Sequence, residues 1–363
     1  MRVLMLSADA KILEIGSGVY IRMREYADLV DELHVVVLCG KKSGVELHGG
    51  NLHIYPTNSE KKIGRLSDAY KISAGIIQQR AMSATDSLIT SQDPFELGMV
   101  CMRLKKRFAL KLQLQVHTDF LNPFFAAESI KNRARVMMAR YTMRHADGIR
   151  VVSERIKKSL IDSDFKIDQE KIFVLPVFVD VEAAHVAEPI DLHSRFPHFK
   201  KIILIASRLT REKQIVWACE AMKSLVEQHP ELGVIILGDG PERAALEKFP
   251  FVRVMGWAAN VVPYMKGADL FLNTSLYEGY GRTLIEAAAA GVPIITTDVG
   301  IAHEVIEDEK NGTVIAVGDE SALLVGIAGY LFGGKYFEKK SIEPISKIKY
   351  LQDYLGAWQA CFR

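Results

Sequence analysis

The strongest constraint on the fold is the regular alternation of short apolar runs with segments of helical spacing. Most of the runs lack the alternation of apolar and polar residues that marks a half-exposed strand, so they predict strands buried on both faces. Parallel sheets covered by helices satisfy this pattern. The thirteen runs are Val3–Ala8, His34–Cys39, Leu52–Tyr55, Ser87–Thr90, Leu110–His117, Ile149–Val152, Ile172–Leu175, Ile202–Ala206, Val234–Leu237, Val252–Met255, Leu270–Asn273, Pro293–Thr296 and Thr313–Val317.

Helical spacing fills most of the intervals between these runs, for example at Gly18–Leu33, Glu154–Ile161, Ile215–Gln228 and Pro241–Lys248. Thirteen strands are too many for one comfortable sheet, and an irregular stretch after Pro176 offers a natural break. The sequence therefore predicts an α/β protein with two doubly wound, Rossmann-like domains that face each other across a cleft. The predicted domains are residues 1–180 and 181–340.

Composition indicates a folded protein that does not cross a membrane. The chain has 363 residues, of which 49% are hydrophobic and 25% charged, and no apolar stretch approaches the roughly 20 residues that span a bilayer. The opening sequence MRVLMLSADA resembles a first strand rather than a signal peptide. Four scattered cysteines indicate reduced, mostly buried thiols, so we expect a cytoplasmic protein.

The basic residues are concentrated in the first half of the chain, where residues 1–180 hold 27 Lys and Arg against 21 Asp and Glu. The segment 131–143 combines several of them with methionines and a tyrosine. This segment could lie on an anionic membrane surface, which would make the protein peripheral at the inner face of the membrane. The alternative, which we favour, is an amphipathic helix whose apolar stripe packs on its own core.

Polar and glycine-rich turns follow the predicted strands, at the edge where doubly wound domains bind ligands. In the first half these turns contain Gly16, Gly18 and His117, and in the second half Arg208, Lys213 and a Gly-Asp-Gly-Pro-Glu sequence at 238–242. No turn at this edge is a full GxGxxG directly after a strand. A dinucleotide-dependent dehydrogenase is therefore poorly supported.

Two carboxylates, Glu278 and Glu286, flank a glycine-bearing loop and the start of a predicted helix from about Arg282 to Ala290. Such a loop presents unpaired backbone N–H groups and the positive end of the helix dipole, which together favour phosphate. Both carboxylates could face one ligand, Glu278 near its reactive end and Glu286 near a sugar hydroxyl. The alternative is that the glycines serve only the turn.

Four elements in this order resemble glycosyltransferase family 4, whose members are retaining, nucleotide-sugar-dependent enzymes of the GT-B fold. They are Arg208 with Lys213 after a strand, the Gly-Asp-Gly-Pro-Glu turn, the Glu278-x7-Glu286 block, and Gly-Val-Pro-Ile-Ile-Thr-Thr-Asp at 291–298. The similarity extends over essentially the whole chain. It also implies that residues 341–363 form a C-terminal helix that crosses back to the N-terminal domain.

The resemblance implies roles for the charged residues of the second half. Arg208 and Lys213 would hold the donor diphosphate, where two fixed cations stabilise the charge that develops on the leaving oxygen. Glu278 would lie against the transferred sugar, and Glu286 would accept hydrogen bonds from ribose hydroxyls. The alternative for Arg208 and Lys213 is a solvated pair of loop residues.

Backbone groups and one histidine complete the implied site. The diphosphate would meet the backbone at Gly279, Tyr280, Gly281, Arg282 and Thr283. Gly16 and Gly18 match the first loop of the family, where backbone without side chains approaches the diphosphate and the acceptor. His117 matches the histidine that approaches the donor sugar, and its alternative is a histidine bonded at a sheet edge. Gln214 stands where the family usually has glycine.

No metal site and no cofactor are expected. The Asp-x-Asp spacing at Asp162-Ser-Asp164 falls at a helix end rather than after an apolar strand. Two cations and a helix N-terminus could neutralise the diphosphate without a divalent ion.

The sequence thus predicts a retaining glycosyltransferase. It would move a hexose or N-acetylhexosamine from a UDP- or GDP-sugar to a hydroxyl of a glycan or lipid-linked saccharide, with no nucleic acid as partner. One rival is a GT-B nucleotide-sugar epimerase, for which the N-terminal domain offers Asp9, Asp119 and Glu128 as candidate acids. Another is a non-catalytic nucleotide-sugar-binding protein.

Overall fold

The computed structural model describes residues 1–41, 44–308, 310–334, 342 and 344–362. The chain divides into two compact units, one of residues 1–176 with 346–363 and one of residues 177–345. The first unit therefore ends four residues before the predicted boundary at 180. The predicted boundary between residues 340 and 341 lies outside the described residues.

Each of the thirteen predicted runs overlaps a strand, and a fourteenth strand, β3, joins them. The strands are β1 (Arg2–Ser7), β2 (Glu32–Val37), β3 (Leu47–Gly49), β4 (Leu52–Pro56), β5 (Ser87–Ser91), β6 (Lys111–Val116), β7 (Gly148–Val151), β8 (Ile172–Val174), β9 (Lys201–Ala206), β10 (Leu232–Leu237), β11 (Val252–Gly256), β12 (Leu270–Asn273), β13 (Ile294–Thr297) and β14 (Gly312–Ile315).

Helices occupy most of the intervals between the strands. The α-helices are α1 (Gly18–Ala27), α2 (Arg65–Gln79), α3 (Glu96–Phe108), α4 (Pro123–Glu128), α5 (Ile130–Arg144), α6 (Glu154–Asp162), α7 (Val181–Val186), α8 (Leu192–Arg195), α9 (Ile215–Ala221), α10 (Lys223–Gln228), α11 (Arg243–Leu246), α12 (Val262–Lys266), α13 (Arg282–Ala290), α14 (Ala302–Val305), α15 (Glu320–Leu331) and α16 (Lys347–Gln359). Short 3₁₀ helices lie at Ala10–Leu13, Lys62–Gly64, Gln169–Lys171, Arg211–Lys213 and Ala360–Phe362.

The first unit contains an eight-stranded sheet in the order β3-β4-β2-β1-β5-β6-β7-β8. All neighbouring pairs are parallel except β3 with β4, which form an antiparallel pair at the edge. The order reverses beside β1, so the carboxyl ends of β1 and β5 mark a switch point where such folds bind ligands.

The second unit contains a six-stranded, fully parallel sheet in the order β11-β10-β9-β12-β13-β14. Its switch point lies between β9 and β12. Residues of α9, α10 and α15 pack on one face of this sheet and form a continuous buried apolar cluster with the strands. Because β9 and β12 are parallel neighbours, the turns after them lie at the same edge of the sheet. These turns contain most of the charged residues singled out in the sequence.

The C-terminal helix α16 belongs to the first unit, and its packing centres on a buried arginine of β7. The guanidinium of Arg150 donates to Oε1 of Gln115 at 2.9 Å and lies 4.8 Å from the ring centre of Tyr354 on α16. Trp358 is fully buried one helical turn further on. Because an unpartnered buried cation is costly, these contacts anchor α16 on the sheet.

All four cysteines are buried and unpaired, as their scattered positions predict. In the described part of the chain, none of the helices is both long enough and apolar enough to span a membrane.

Candidate functional site

Helix α13 begins and ends at glycines whose backbone conformation other residues rarely adopt. Gly281 caps its N-terminus at φ +89°, and Gly291 caps its C-terminus at φ +71°. Both angles lie in the left-handed region that favours glycine. The helix covers Arg282–Ala290, the range that the sequence predicts, and it points its N-terminal N–H groups at the loop that contains Glu278.

Glu278 and Lys213 form an ion pair at the carboxyl edge of the sheet. Oε1 of Glu278 lies 2.5 Å from Nζ of Lys213, and both side chains are mostly buried. The pair exists because β9 and β12 are neighbours, so the turns after them meet. Two further hydrogen bonds hold these turns together, from Thr274 Oγ1 to the carbonyl of Lys213 at 2.9 Å and from the Leu276 N–H to the carbonyl of Glu212 at 2.8 Å.

Ser275 lies between Glu278 and a chain of polar side chains at the ends of β12 and β13. Its Oγ lies 2.8 Å from Oε1 of Glu278 and 2.8 Å from Oδ1 of Asn273. Nδ2 of Asn273 donates to Oγ1 of Thr296 at 3.0 Å. Because both neighbours of Ser275 are acceptors and a hydroxyl has one proton, Ser275 can donate to only one of them at a time.

Gly300 fixes the loop after β13 against the Glu278 loop. A Cβ on this residue would lie 2.3 Å from the carbonyl oxygen of Tyr280, which accepts a hydrogen bond from the Ile301 N–H at 2.9 Å. The backbone of Gly300 is also left-handed, at φ +54°. A side chain here would push the two loops apart and disturb the position of Glu278.

The turn after β9 presents Arg208 to solvent. Its side chain is 76% exposed, and its Nη2 lies 3.3 Å from Oε1 of Glu212. An exposed pair of this kind contributes little to stability, so the guanidinium is available to an anion. Gln214 ends the turn at φ +53°, which explains why glycine is usual at this position.

The turn after β10 packs tightly on the turn after β9. A Cβ on Gly238 would lie 1.8 Å from the carbonyl oxygen of Ser207, and a Cβ on Gly240 would lie 2.5 Å from that of Leu209. Only glycine allows this approach at both positions. The Gly-Asp-Gly-Pro-Glu sequence thus supports the backbone that positions Arg208.

Glu286 lies on α13, mostly buried, and pairs with Arg282 one turn earlier. Nε of Arg282 lies 2.9 Å from Oε1 of Glu286. Burial raises the pKa of Glu286, and the charge and hydrogen bond of Arg282 oppose that rise. The carboxylate is therefore held in place by a side chain that itself remains largely exposed.

A cavity of about 600 Å³ in the second unit brings several of these residues together. Its walls include Arg208, Gly238, Arg282, Thr283 and Glu286, and the indole of Trp257. Trp257 is 69% exposed, so it offers a flat apolar surface beside the charged groups. Lys213 lies in the turn after β9, which also contains Arg208, and Glu278 lies in the loop that precedes α13.

The remaining predicted residues lie in the first unit, after its strands. Gly16 is left-handed at φ +87°, and a Cβ on Gly16 or Gly18 would meet nothing within 4 Å, so this loop leaves open space. Nε2 of His117 lies 3.2 Å from Oε1 of Gln115, an oxygen that also accepts from Arg150. Since that oxygen can only accept, the proton of His117 is on Nε2. Desolvation by the surrounding protein, followed by the charges of Arg150 and Arg22, lowers the pKa of His117, although the residue as a whole is exposed.

Sequence reasoning missed Ser275 and Asn273. Asn273 is the last residue of β12 and Ser275 lies two positions after it, at the predicted strand-end edge, so a hydroxyl two residues after a strand was the available signal. Within the described residues, no group of three or more His, Cys, Asp or Glu side chains is placed so that it could hold a metal ion.

Comparison with protein families decides the identity of the two units. A family described as Glycosyltransferase Family 4 matches residues 18–183, and one described as Glycosyl transferases group 1 matches residues 200–331. The chain belongs to glycosyltransferase family 4. The second match includes Arg208, Arg282 and Glu286 of the cavity and both residues of the Lys213–Glu278 pair.

Individual relatives of family 4 agree with this assignment. The chain is 25% identical over 240 residues to alpha-monoglucosyldiacylglycerol synthase of Acholeplasma laidlawii, an alignment that covers 60% of each protein. It thus spans less than two thirds of the length of this curated relative.

Solved structures of other proteins show the same architecture. HepE of Anabaena in complex with UDP and glucose has a TM-score of 0.67 at 18% identity, with 100% of this chain and 94% of that chain covered. Sucrose-phosphate synthase of Thermosynechococcus elongatus has a TM-score of 0.73 at 17% identity, with 100% and 95% covered. At this level of identity the likeness shows the fold, which is GT-B, as the sequence predicts.

Proposed function

We propose that this protein is a retaining glycosyltransferase that moves a hexose or N-acetylhexosamine from a UDP- or GDP-sugar to a hydroxyl of a glycan or lipid-linked saccharide. The observation that carries the proposal is the placement of the Lys213–Glu278 pair and the N-terminus of α13 beside a cavity walled by Arg208 and Glu286. HepE was solved with UDP and glucose, which makes UDP-glucose the first donor to test.

In this proposal the cavity holds the nucleoside diphosphate. Arg208 and Lys213 would contact the diphosphate together with the N–H groups at the start of α13, where the helix dipole favours negative charge. Glu286, oriented by Arg282, would accept hydrogen bonds from the ribose hydroxyls. Trp257 would offer its exposed ring to the base. The diphosphate would compete with Glu278 for the ammonium of Lys213.

Transfer would break the bond between the anomeric carbon and the phosphate oxygen and form a bond to the acceptor oxygen. Arg208 and Lys213 would stabilise the charge that develops on the leaving phosphate oxygen. That oxygen would take the proton of the acceptor hydroxyl. Glu278 is the alternative as a nucleophile that forms a glycosyl intermediate. His117, neutral with its proton on Nε2, would approach the donor sugar, and the open loop at Gly16 and Gly18 would leave room for the diphosphate and acceptor.

We further propose that the first unit contacts an anionic membrane surface. Ile130 and Met137 on α5 expose 84% and 73% of their surfaces. The side chain of Lys131, next to the first of them, is 66% exposed, with its ammonium 3.5 Å from Glu96. Apolar side chains beside cations favour such surfaces. Co-sedimentation with phosphatidylglycerol vesicles, and its loss in Ile130→Ser/Met137→Ser, is the expected result. Equal binding to phosphatidylcholine vesicles, or none to either, would contradict it.

A donor screen tests the enzymatic proposal. UDP- and GDP-linked glucose, galactose and N-acetylglucosamine are compared by thermal shift, and the donors that raise Tm are then incubated with and without saccharide acceptors. We expect release of nucleoside diphosphate, and a product whose anomeric configuration by NMR matches the donor. Binding without any release would favour a non-catalytic nucleotide-sugar-binding protein.

A further inference from the structure

Three histidines form a row across three adjacent strands of the first unit. His34 on β2 is in register with His53 on β4, and His53 is in register with His48 on β3. Residues opposed in this way project from the same face of a sheet, close enough for their side chains to touch. The rings of His34 and His53 are stacked at 4.9 Å between centres, and those of His53 and His48 are 5.3 Å apart.

His34 has both ring nitrogens occupied. Its Nε2 lies 3.0 Å from Oε2 of Glu32, and its Nδ1 lies 3.1 Å from the hydroxyl of Tyr55. The residue is also fully buried. It is therefore a packing neighbour that supports the ring of His53.

The other two histidines direct their Nδ1 atoms at each other, 3.1 Å apart. Nε2 of His48 lies 3.2 Å from Oε2 of Glu46, and since a carboxylate only accepts, this bond places the proton of a neutral His48 on Nε2. Nδ1 of His48 then carries no proton, and its lone pair faces His53. The space between the two nitrogens accommodates one shared proton or one cation.

The geometry suits a cation. Zinc binds imidazole nitrogens at about 2.0–2.1 Å, so two nitrogens 3.1 Å apart would subtend an angle of about 100° at the ion. The hydrogen bond that Nε2 of His48 donates to Glu46 reproduces the carboxylate–histidine–metal arrangement that orients ligating imidazoles.

Charge around the pair does not prevent binding. The charge of Arg80 acts on His53. Arg80 is itself paired with Glu32 at 3.3 Å, so its charge is partly offset. The side chain of His48 is 45% exposed, which leaves the pair open to ions from solvent.

We propose that Nδ1 of His48 and Nδ1 of His53 bind a divalent transition-metal ion of the zinc class. The described residues supply two ligands, and solvent completes the coordination. The ion would tie the short edge strand β3 to β4 and take no part in glycosyl transfer. The proposal therefore goes beyond the proposed function and stands independently of it.

Zinc titration of the untagged, full-length protein after removal of metals tests the proposal. Isothermal titration should give one zinc ion per chain. His48→Gln and His53→Gln should each abolish this binding, and Glu46→Gln should weaken it by roughly 10–100-fold. His198→Gln, at an exposed histidine of the second unit, is the matched control and should bind as the parent protein does.

A second readout guards against variants that fold poorly. Zinc should raise the Tm of the parent protein, because binding to the folded state stabilises it. In His53→Gln the Tm should not respond, while the far-UV circular dichroism should match that of the parent. The absence of stoichiometric zinc binding, or binding that survives both histidine substitutions, would overturn the proposal and leave the 3.1 Å contact as a shared-proton hydrogen bond.

Discussion

The ammonium of Lys213 lies 2.5 Å from Oε1 of Glu278, although the two residues are 65 positions apart in the chain. The contact joins a predicted ligand of the diphosphate to a predicted neighbour of the transferred sugar. If both roles hold, the reacting bond between sugar and phosphate would lie close to this pair. Binding of the diphosphate would then draw Lys213 from Glu278 and leave the carboxylate for the sugar.

Lys213→Ala should lower kcat by roughly 10²-fold or more, the effect of removing one group that stabilises the transition state. The variant should also be less stable by about 1–3 kcal/mol, because Glu278 loses a partner in a mostly buried position. Steady-state kinetics and urea unfolding measure the two effects. Lys223→Ala, which removes an exposed lysine paired with Glu220, should change neither quantity, and near-normal turnover of Lys213→Ala would refute the assignment.

The two glutamates should separate by nucleotide affinity. Glu286→Ala should weaken binding of UDP or GDP by roughly tenfold or more, since charge-assisted hydrogen bonds contribute about 1.5–3 kcal/mol each. Glu278→Gln should not weaken that affinity, because it removes the carboxylate that competes with the diphosphate for Lys213, and it should slow transfer severely. Isothermal titration with UDP or GDP, together with a transfer assay, distinguishes the two variants. Glu220→Ala, at an exposed glutamate, serves as a control and should change neither quantity. The reverse pattern would mean that the proposed donor orientation is wrong.

Local signals made much of the fold predictable. Helix α13 has the predicted bounds because a glycine stands at each end, where a left-handed backbone is needed. The strands that are buried on both faces have continuous apolar runs, and these runs predict the strands from the sequence. In contrast, the predicted helix Ile215–Gln228 is two helices that meet at Met222, and Gly18–Leu33 is helical only to Ala27.

Features that depend on neighbouring strands could not be read from the sequence. Strand β3 has three residues, two of them exposed, and it exists only through its pairing with β4. The row of histidines and the contact of Lys213 with Glu278 likewise require knowledge of which strands are adjacent. Sequence spacing identified the residue types of the site, and strand order determined which of them meet.

Ser275→Ala should lower kcat by roughly 10-fold or more and leave nucleotide affinity intact, because a hydrogen bond to a charged carboxylate contributes about 1.5–3 kcal/mol. The hydroxyl lies 2.8 Å from Glu278 and orients it. If this is the reason, the effect should vanish in a Glu278→Gln background, as in a double-mutant cycle. An effect of equal size in both backgrounds would indicate that Ser275 acts on the fold alone.

Asp93→Asn should stabilise the protein at high pH. Burial raises the pKa of Asp93 from 3.8 to about 6, and its Oδ1 accepts the Phe95 N–H at 2.7 Å, a bond that asparagine can also form. Because the folded pKa is above the unfolded value, the contribution of this group to stability is fully present below about pH 4 and is lost as the pH rises through 6. Urea unfolding should show the variant more stable by at most about 3 kcal/mol at pH 8 and unchanged near pH 4. A difference independent of pH would contradict this.

Removal of metal should affect stability and not transfer. The diphosphate is proposed to be neutralised by Arg208, Lys213 and the N-terminus of α13, so EDTA should leave kcat unchanged. The same treatment would strip a zinc ion from His48 and His53 and lower the Tm of zinc-loaded protein, whereas His53→Gln should show no change in Tm. Measuring both quantities in one preparation separates the two proposals. Loss of transfer on chelation that Mn²⁺ or Mg²⁺ restores would show that the cations of this chain do not suffice for the diphosphate, whatever happens at the histidines.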